Sequence, residues 1–124
     1  MKIKTYIVED SPTIRDNLIA TLEELTDVTA VGTAETENEG AGWLTNNNNI
    51  WNLAIVDLFL KQGTGLGVVS ACKNRLPNQK VIVLSNYATP EVRKHCVLLG
   101  ADVVFDKSTQ IDQLLEFCIN FNQS

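Results

Sequence analysis

Five short stretches of the 124-residue chain are dominated by apolar residues, at 3–9, 28–34, 52–57, 80–85 and 102–106. Three of them contain runs without a polar interruption: Tyr6-Ile7-Val8, Leu53-Ala54-Ile55-Val56 and Val81-Ile82-Val83-Leu84. Unbroken apolar runs suit strands covered on both faces, whereas half-exposed strands alternate apolar with polar residues. The intervening segments carry helical spacing. In the first, Ile14, Leu18, Thr21, Leu22 and Leu25 are expected on one face, with Ser11 as N-cap and Pro12 in the first turn. Thr89-Pro90-Glu91 repeats that start signal, and Gly100 ends the helix that follows. The last helix opens near Ser108–Asp112 and presents Ile111, Leu114, Leu115 and Cys118 on one side. The segment 35–49 is the weakest helix, because Gly40 and Gly42 dilute it and only Trp43 and Leu44 anchor it. Its Asn46–Asn49 run reads as a solvated polar loop.

Strands alternating with helices imply right-handed βαβ crossovers and an α/β fold around a parallel sheet. The length suits a single domain, 1–124. In such sheets ligands collect at the carboxyl ends of the strands. Here four of the five strands end in a chemically capable residue: Glu9-Asp10, Asp57, Ser85 and Lys107. The second strand ends in Thr33-Ala34 and offers little.

Composition narrows the chemistry. A formal charge of −5 without a basic patch argues against a nucleic-acid surface. No apolar run approaches the roughly 20 residues of a membrane span. The opening MKIKTYIVED has too short an apolar stretch for a signal peptide, so a cytoplasmic protein is expected. Cys72, Cys96 and Cys118 lack metal-ligand spacing and read as small core thiols. His95 is the only histidine, which excludes multi-histidine metal sites, and it is expected at the surface.

Three carboxylates brought together repel one another, and one of them takes up a proton unless a cation intervenes. Oxygen-only ligands suit Mg²⁺. Lys107 adds a point charge for an anion beside the metal, and Ser85 a short hydroxyl donor. That set matches phosphoryl transfer, where catalysis is mostly positioning and charge neutralisation. Asp57, at the end of the central strand, is the candidate nucleophile, forming an aspartyl phosphate. Taken singly, each residue has an ordinary reading as a cap, a turn former or a solvated side chain. Their joint placement at the strand ends is what sets them apart.

The segments VEDSPTIRDNL, LAIVDLFLKQGTGLGVV, VIVLSNYATPEVRKHCVLLGAD and FDKSTQIDQLLE, in this order, resemble the receiver domains of two-component response regulators. The resemblance covers essentially the whole chain. It implies a flavodoxin-like (βα)5 fold, doubly wound, with strand order 2-1-3-4-5. It implies Asp57 as phosphoacceptor, and Glu9, Asp10 and the backbone carbonyl of Phe59 around Mg²⁺. Asp10 is expected to ligate directly and Glu9 through water. Ser85 and Lys107 would contact the phosphoryl group. The donor would be a phosphohistidine on a sensor histidine kinase or phosphotransfer domain, docking near Ile14 and the Lys107–Ser108 turn. Such a domain catalyses only its own phosphorylation and dephosphorylation. Output would pass through the fourth helix, fifth strand and fifth helix (roughly 90–121) to a protein target or a second copy of the chain.

The sequence departs from that family at several positions. Val104 stands where the family commonly has Tyr or Phe, and Phe105 should point to the opposite face. The usual aromatic switch is therefore missing, which leaves movement of Ser85 and its loop. Asn86 follows the hydroxyl residue in place of Ala or Gly, and is expected to affect access to Asp57. Ser108 replaces the frequent proline after the lysine. Phe59 and Tyr87, both bulky, occupy the positions associated with water access, so slow loss of the phosphoryl group is expected. The other functions weighed are a receiver-like interaction module that is not phosphorylated, a flavodoxin-type redox protein and an Asp-nucleophile hydrolase. The acid pair after the first strand disfavours a flavin phosphate, and Phe59 sits where the hydrolase would need a second acid.

Overall fold

The computed structural model describes residues 2–121. Its elements alternate along the chain: β1 (Ile3–Val8), α1 (Pro12–Leu25), β2 (Val28–Ala34), α2 (Glu37–Asn46) and β3 (Leu53–Asp57), then α3 (Gly65–Ala71), β4 (Lys80–Ser85), α4 (Pro90–Leu98), β5 (Val103–Asp106) and α5 (Ile111–Ile119). The strands form one parallel sheet in the order β2-β1-β3-β4-β5. This is the doubly wound, flavodoxin-like arrangement expected from the sequence.

Strand alternation divides the core into two layers. Tyr6, Val8, Ala54, Val56, Val81, Val83 and Val104 pack against Leu44 of α2, Val68 and Val69 of α3, and Cys96 of α4. Ile3, Ile7, Leu53, Ile55, Ile82, Leu84 and Phe105 face Leu22 of α1 and Leu114 and Cys118 of α5. All three cysteines are free and buried. Burial pushes the Cys72 thiol up to about 11 and that of Cys118 to about 12, which makes them poor nucleophiles. His95 is exposed, as expected.

Ser11, Thr36, Thr64 and Thr89 each accept the amide three residues on, which caps α1 to α4 at about 1 kcal/mol apiece. α2 is firmer than its composition suggests. Glu39 returns a carboxylate oxygen to the Glu35 amide at 2.9 Å, close to a capping box. Gly40 lies directly against Val8, where a Cβ would come within 2.9 Å of Val8 Cγ2. Trp43 stacks on Tyr6 with centroids 4.2 Å apart. Asn46 closes this helix rather than opening the loop, and the turn begins at Asn47.

α1 buries only part of its apolar face. Leu22 is its buried residue, whereas Ile14 and Leu25 are 45% and 54% exposed. The apolar stripe of α1 is wider than the contact it makes with the sheet. Its Ile14 edge instead lines an open apolar groove with Leu18, Leu84, Lys107, Ile111 and Leu115.

Candidate functional site

The carboxyl ends of β1, β3, β4 and β5 bring the predicted residues to one edge. β3 is central, flanked by β1 and β4, so Asp57 emerges between Glu9 and Ser85. The Glu9 amide still bonds to Ala34 O (2.9 Å) and the Leu58 amide to Leu84 O (3.0 Å), so the sheet holds both acids rigidly. One oxygen each from Glu9, Asp10 and Asp57 lies within 4.8 Å of the other two. Lys107 Nζ bridges this group, donating to Glu9 Oε1 at 2.8 Å and to Asp57 Oδ2 at 3.1 Å. Glu9 Oε2 also accepts the Ser11 amide at 3.1 Å.

Burial and charge set the protonation states. Glu9 is 3% exposed and Asp57 8%. Burial pushes the Asp57 carboxyl upward, the neighbouring Glu9 charge adds to this, and Lys107 offsets it only in part, leaving about 6. Asp10 is also raised, by burial and then by Glu9. Burial also pushes Glu9 up, but bonds from Lys107 and from the Ser11 amide outweigh it and hold Glu9 below the usual carboxylate range. Lys107 is raised because Glu9 and Asp57 overcome the cost of burying its charge.

Three convergent carboxylates with one ammonium leave surplus negative charge at an edge where Glu9 and Asp57 are buried and Asp10 is partly exposed. The donor set is all oxygen and fits a hard divalent cation. Because a proton competes with the cation for Asp57, Mg²⁺ affinity should rise as pH rises through about 6 and then level off. Titrating Mg²⁺ by calorimetry across this range checks the slope, which should approach roughly tenfold per pH unit on the acid side.

The remaining predicted residues stand around this centre. Ser85 is fully buried at the end of β4; its Oγ accepts the Tyr87 amide (3.0 Å) and its carbonyl accepts the Lys107 amide (3.0 Å). Phe59 and Tyr87 face each other edge to face across the rim, with centroids 5.8 Å apart and exposures of 57% and 66%. Asn86 is exposed beside them. Val104 is buried in the layer under α4, while Phe105 lies in the opposite layer against Phe117, as alternation required. The Lys107–Ser108 turn uses no cis peptide bond. Its shape comes from Asp106 Oδ1, which accepts the amide and hydroxyl of Ser108 and the amide of Thr109.

Sequence reasoning missed the brace behind the β3–α3 loop. Glu37 Oε1 accepts the Thr64 amide at 2.8 Å, and the Glu37 amide donates to Gln62 O at 3.0 Å. Gly63, at φ +79°, and Gly67 leave the space in which the Glu37 side chain lies. Thr64 in turn pairs with Phe59, so α2 steadies the loop that follows Asp57. The glycines of GTGLG were the only sequence signal for this.

A regulator from Rhizobium johnstonii, the transcriptional regulatory protein MctR, is 23% identical over 114 residues, covering 92% of this chain and 52% of that protein. The chain spans about half the length of the curated relatives it matches. Among solved structures, a DNA-binding response regulator of the LuxR family from Staphylococcus aureus superposes with a TM-score of 0.83 at 21% identity, covering 97% of this chain and 98% of that one. A structure described as the CheX-CheY-BeF3-Mg+2 complex from Borrelia burgdorferi gives 0.81 at 19% identity, covering 92% and 84%. The family described as the response regulator receiver domain matches residues 5–118, which include Glu9, Asp10, Asp57, Ser85 and Lys107. The chain therefore belongs to the receiver domains of two-component response regulators.

Proposed function

We propose that this domain accepts a phosphoryl group on Asp57 in a Mg²⁺-dependent reaction and signals through protein contacts. One observation carries this reading: the buried Asp57 carboxylate, with oxygens of Glu9 and Asp10 within 4.8 Å and Lys107 Nζ at 3.1 Å. Glu9, Asp10, Asp57 and the carbonyl of Phe59, two residues beyond Asp57, would hold the ion, Glu9 through water. Asp10, the more open of the pair, suits direct ligation, while Glu9 is engaged by Lys107 and the Ser11 amide. Bound Mg²⁺ supplies charge neutralisation for the transferring phosphoryl oxygens.

An Asp57 oxygen attacks phosphorus, the bond from phosphorus to the donor imidazole nitrogen breaks, and its electron pair returns to the ring. Lys107 Nζ, already in the site, contacts the new anion. The Ser85 hydroxyl accepts from the Tyr87 amide and keeps its proton free to donate to a phosphoryl oxygen. The donor is a phosphohistidine of a sensor kinase or phosphotransfer domain, and the Ile14 groove beside Lys107 is the docking surface that suits it. The α4–β5–α5 face, with Val97, Leu98 and Ile119 exposed, serves a downstream protein or a second copy.

Incubation with Mg²⁺ and a small phosphodonor, followed by intact-mass measurement, tests this. Incorporation that needs Mg²⁺ and vanishes in Asp57→Asn supports it; no incorporation from small donors or histidine kinases would point to an unphosphorylated interaction module. The aromatic pair on the rim makes a separate prediction. Tyr87→Ala should speed loss of the phosphoryl group severalfold by admitting water, as followed by the decay of the modified mass. Equal decay in both proteins would show that the rim does not restrict water.

A further inference from the structure

Arg93 of α4 makes an unusual set of bonds. Its Nε donates to Ala88 O at 2.9 Å, Nη1 to Val104 O at 2.7 Å and Nη2 to Gln110 Oε1 at 2.6 Å. These acceptors belong to the β4–α4 loop, the edge strand β5 and the first residue before α5. Gln110 is the N-cap of α5 but makes no side-chain capping bond. Its amide oxygen accepts instead from Arg93 and from the Asp106 amide at 2.9 Å.

The chain of contacts therefore has two ends in the site. Ala88 lies on the loop that begins at Ser85, and Asp106 precedes Lys107. A guanidinium is a planar fork with fixed donor directions. It cannot follow one acceptor through a displacement without misaligning the other two. Val104 is buried below and supplies only its carbonyl.

We propose that Arg93 is the positioning residue that couples occupancy of Asp57 to the α4–β5–α5 face, by locking the Ala88 carbonyl, the β5 edge and the α5 cap into one rigid unit. This rests on the phosphoacceptor reading above. A phosphoryl group on Asp57 gives the Ser85 hydroxyl and Lys107 a new acceptor. The Ser85–Ala88 loop is drawn toward it, and the Arg93 fork passes that displacement to Val104 and Gln110.

Amide chemical shifts of the full chain, with and without Mg²⁺ and beryllofluoride, test the coupling. In the wild type the response should appear at Tyr87 and Ala88 and also at Val104 and Gln110. In Arg93→Ala the loop response should persist while the second group falls to the level of remote residues. Arg93→Lys keeps the charge but lacks the fork, and should lose the second group as well. Gln110→Leu, which removes one acceptor and leaves the α4 sequence unchanged, should silence position 110 while Val104 still responds, even if an Arg93 variant folds poorly. Undiminished responses at Val104 and Gln110 in the Arg93 variants, or at position 110 in Gln110→Leu, would overturn the proposal. A wild type with no response even at the loop would overturn the phosphoacceptor reading and the coupling with it.

Discussion

Replacing Asp57 with asparagine should abolish phosphoryl incorporation and, at the same time, stabilise the protein in the absence of metal. The first effect follows from chemistry, because an amide oxygen at this position is no nucleophile toward phosphorus. The second follows mainly from burial of the Asp57 charge, with the neighbouring Glu9 adding to it. Burial, with Glu9 beside it, pushes the Asp57 carboxyl up to about 6 from an ordinary 3.8, so folding works against its ionisation. Its contribution to stability is fully present below about 4 and is lost as pH rises through about 6. Two units correspond to about 3 kcal/mol. Lys107 loses a partner in the variant, so a net gain of about 1–2 kcal/mol at pH 7.5 is expected. Thermal unfolding should show Asp57→Asn above wild type at pH 7.5 without Mg²⁺ and level with it near pH 4. Millimolar Mg²⁺ should raise the wild type more than the variant. A variant less stable than wild type under metal-free conditions at pH 7.5 would contradict this account of a buried charge beside Glu9.

Lys107→Met is the second large effect. Methionine preserves an apolar stem along the groove shared with Ile14 and Ile111 but removes the ammonium. Glu9 and Asp57 then lose the ammonium that bonds to both. Phosphorylation by a small donor should slow by about 10²- to 10³-fold, the range for removing one pre-organised donor from developing charge. Stability should fall by about 2 kcal/mol near neutral pH, less than for a fully buried pair because the site edge is open to water. The loss should shrink on acidification and on adding Mg²⁺, since either relieves the two carboxylates. A uniform loss across pH would indicate damaged packing instead. Rates from phosphodonor titrations and unfolding curves at several pH values give both quantities.

The same separation of local from distant causes explains what could be read in advance. The strand runs were legible because a strand buried on both faces admits little besides apolar residues. The helix starts were legible because Ser11 and Thr89 satisfy amides three residues away. Glu9, Asp10, Asp57, Ser85 and Lys107 were legible as a group because a parallel sheet gathers its strand ends at one edge. α2 was harder. Gly40 and Gly42 weaken its intrinsic preference, and the helix persists through Gly40 on Val8 and Trp43 on Tyr6, contacts with a strand far back in the chain. β2 needed an extra residue as well: the register slips between Thr5 and Tyr6, setting Gly32 beside the Tyr6 ring.

By itself, then, the sequence determined the order of elements, the two-faced sheet and the residues delivered to its carboxyl edge. These depend on periodicity and on neighbours a few positions away. Tertiary structure alone decided how the charges at that edge are paired, with Lys107 held between Glu9 and Asp57 across separations of 98 and 50 residues. It also decided that Leu25 stays outside the core, that Glu37 braces the Asp57 loop and that Arg93 joins three elements. Long polar side chains on helix surfaces look alike in a sequence. Only the folded chain brings their hydrogen-bond partners within reach.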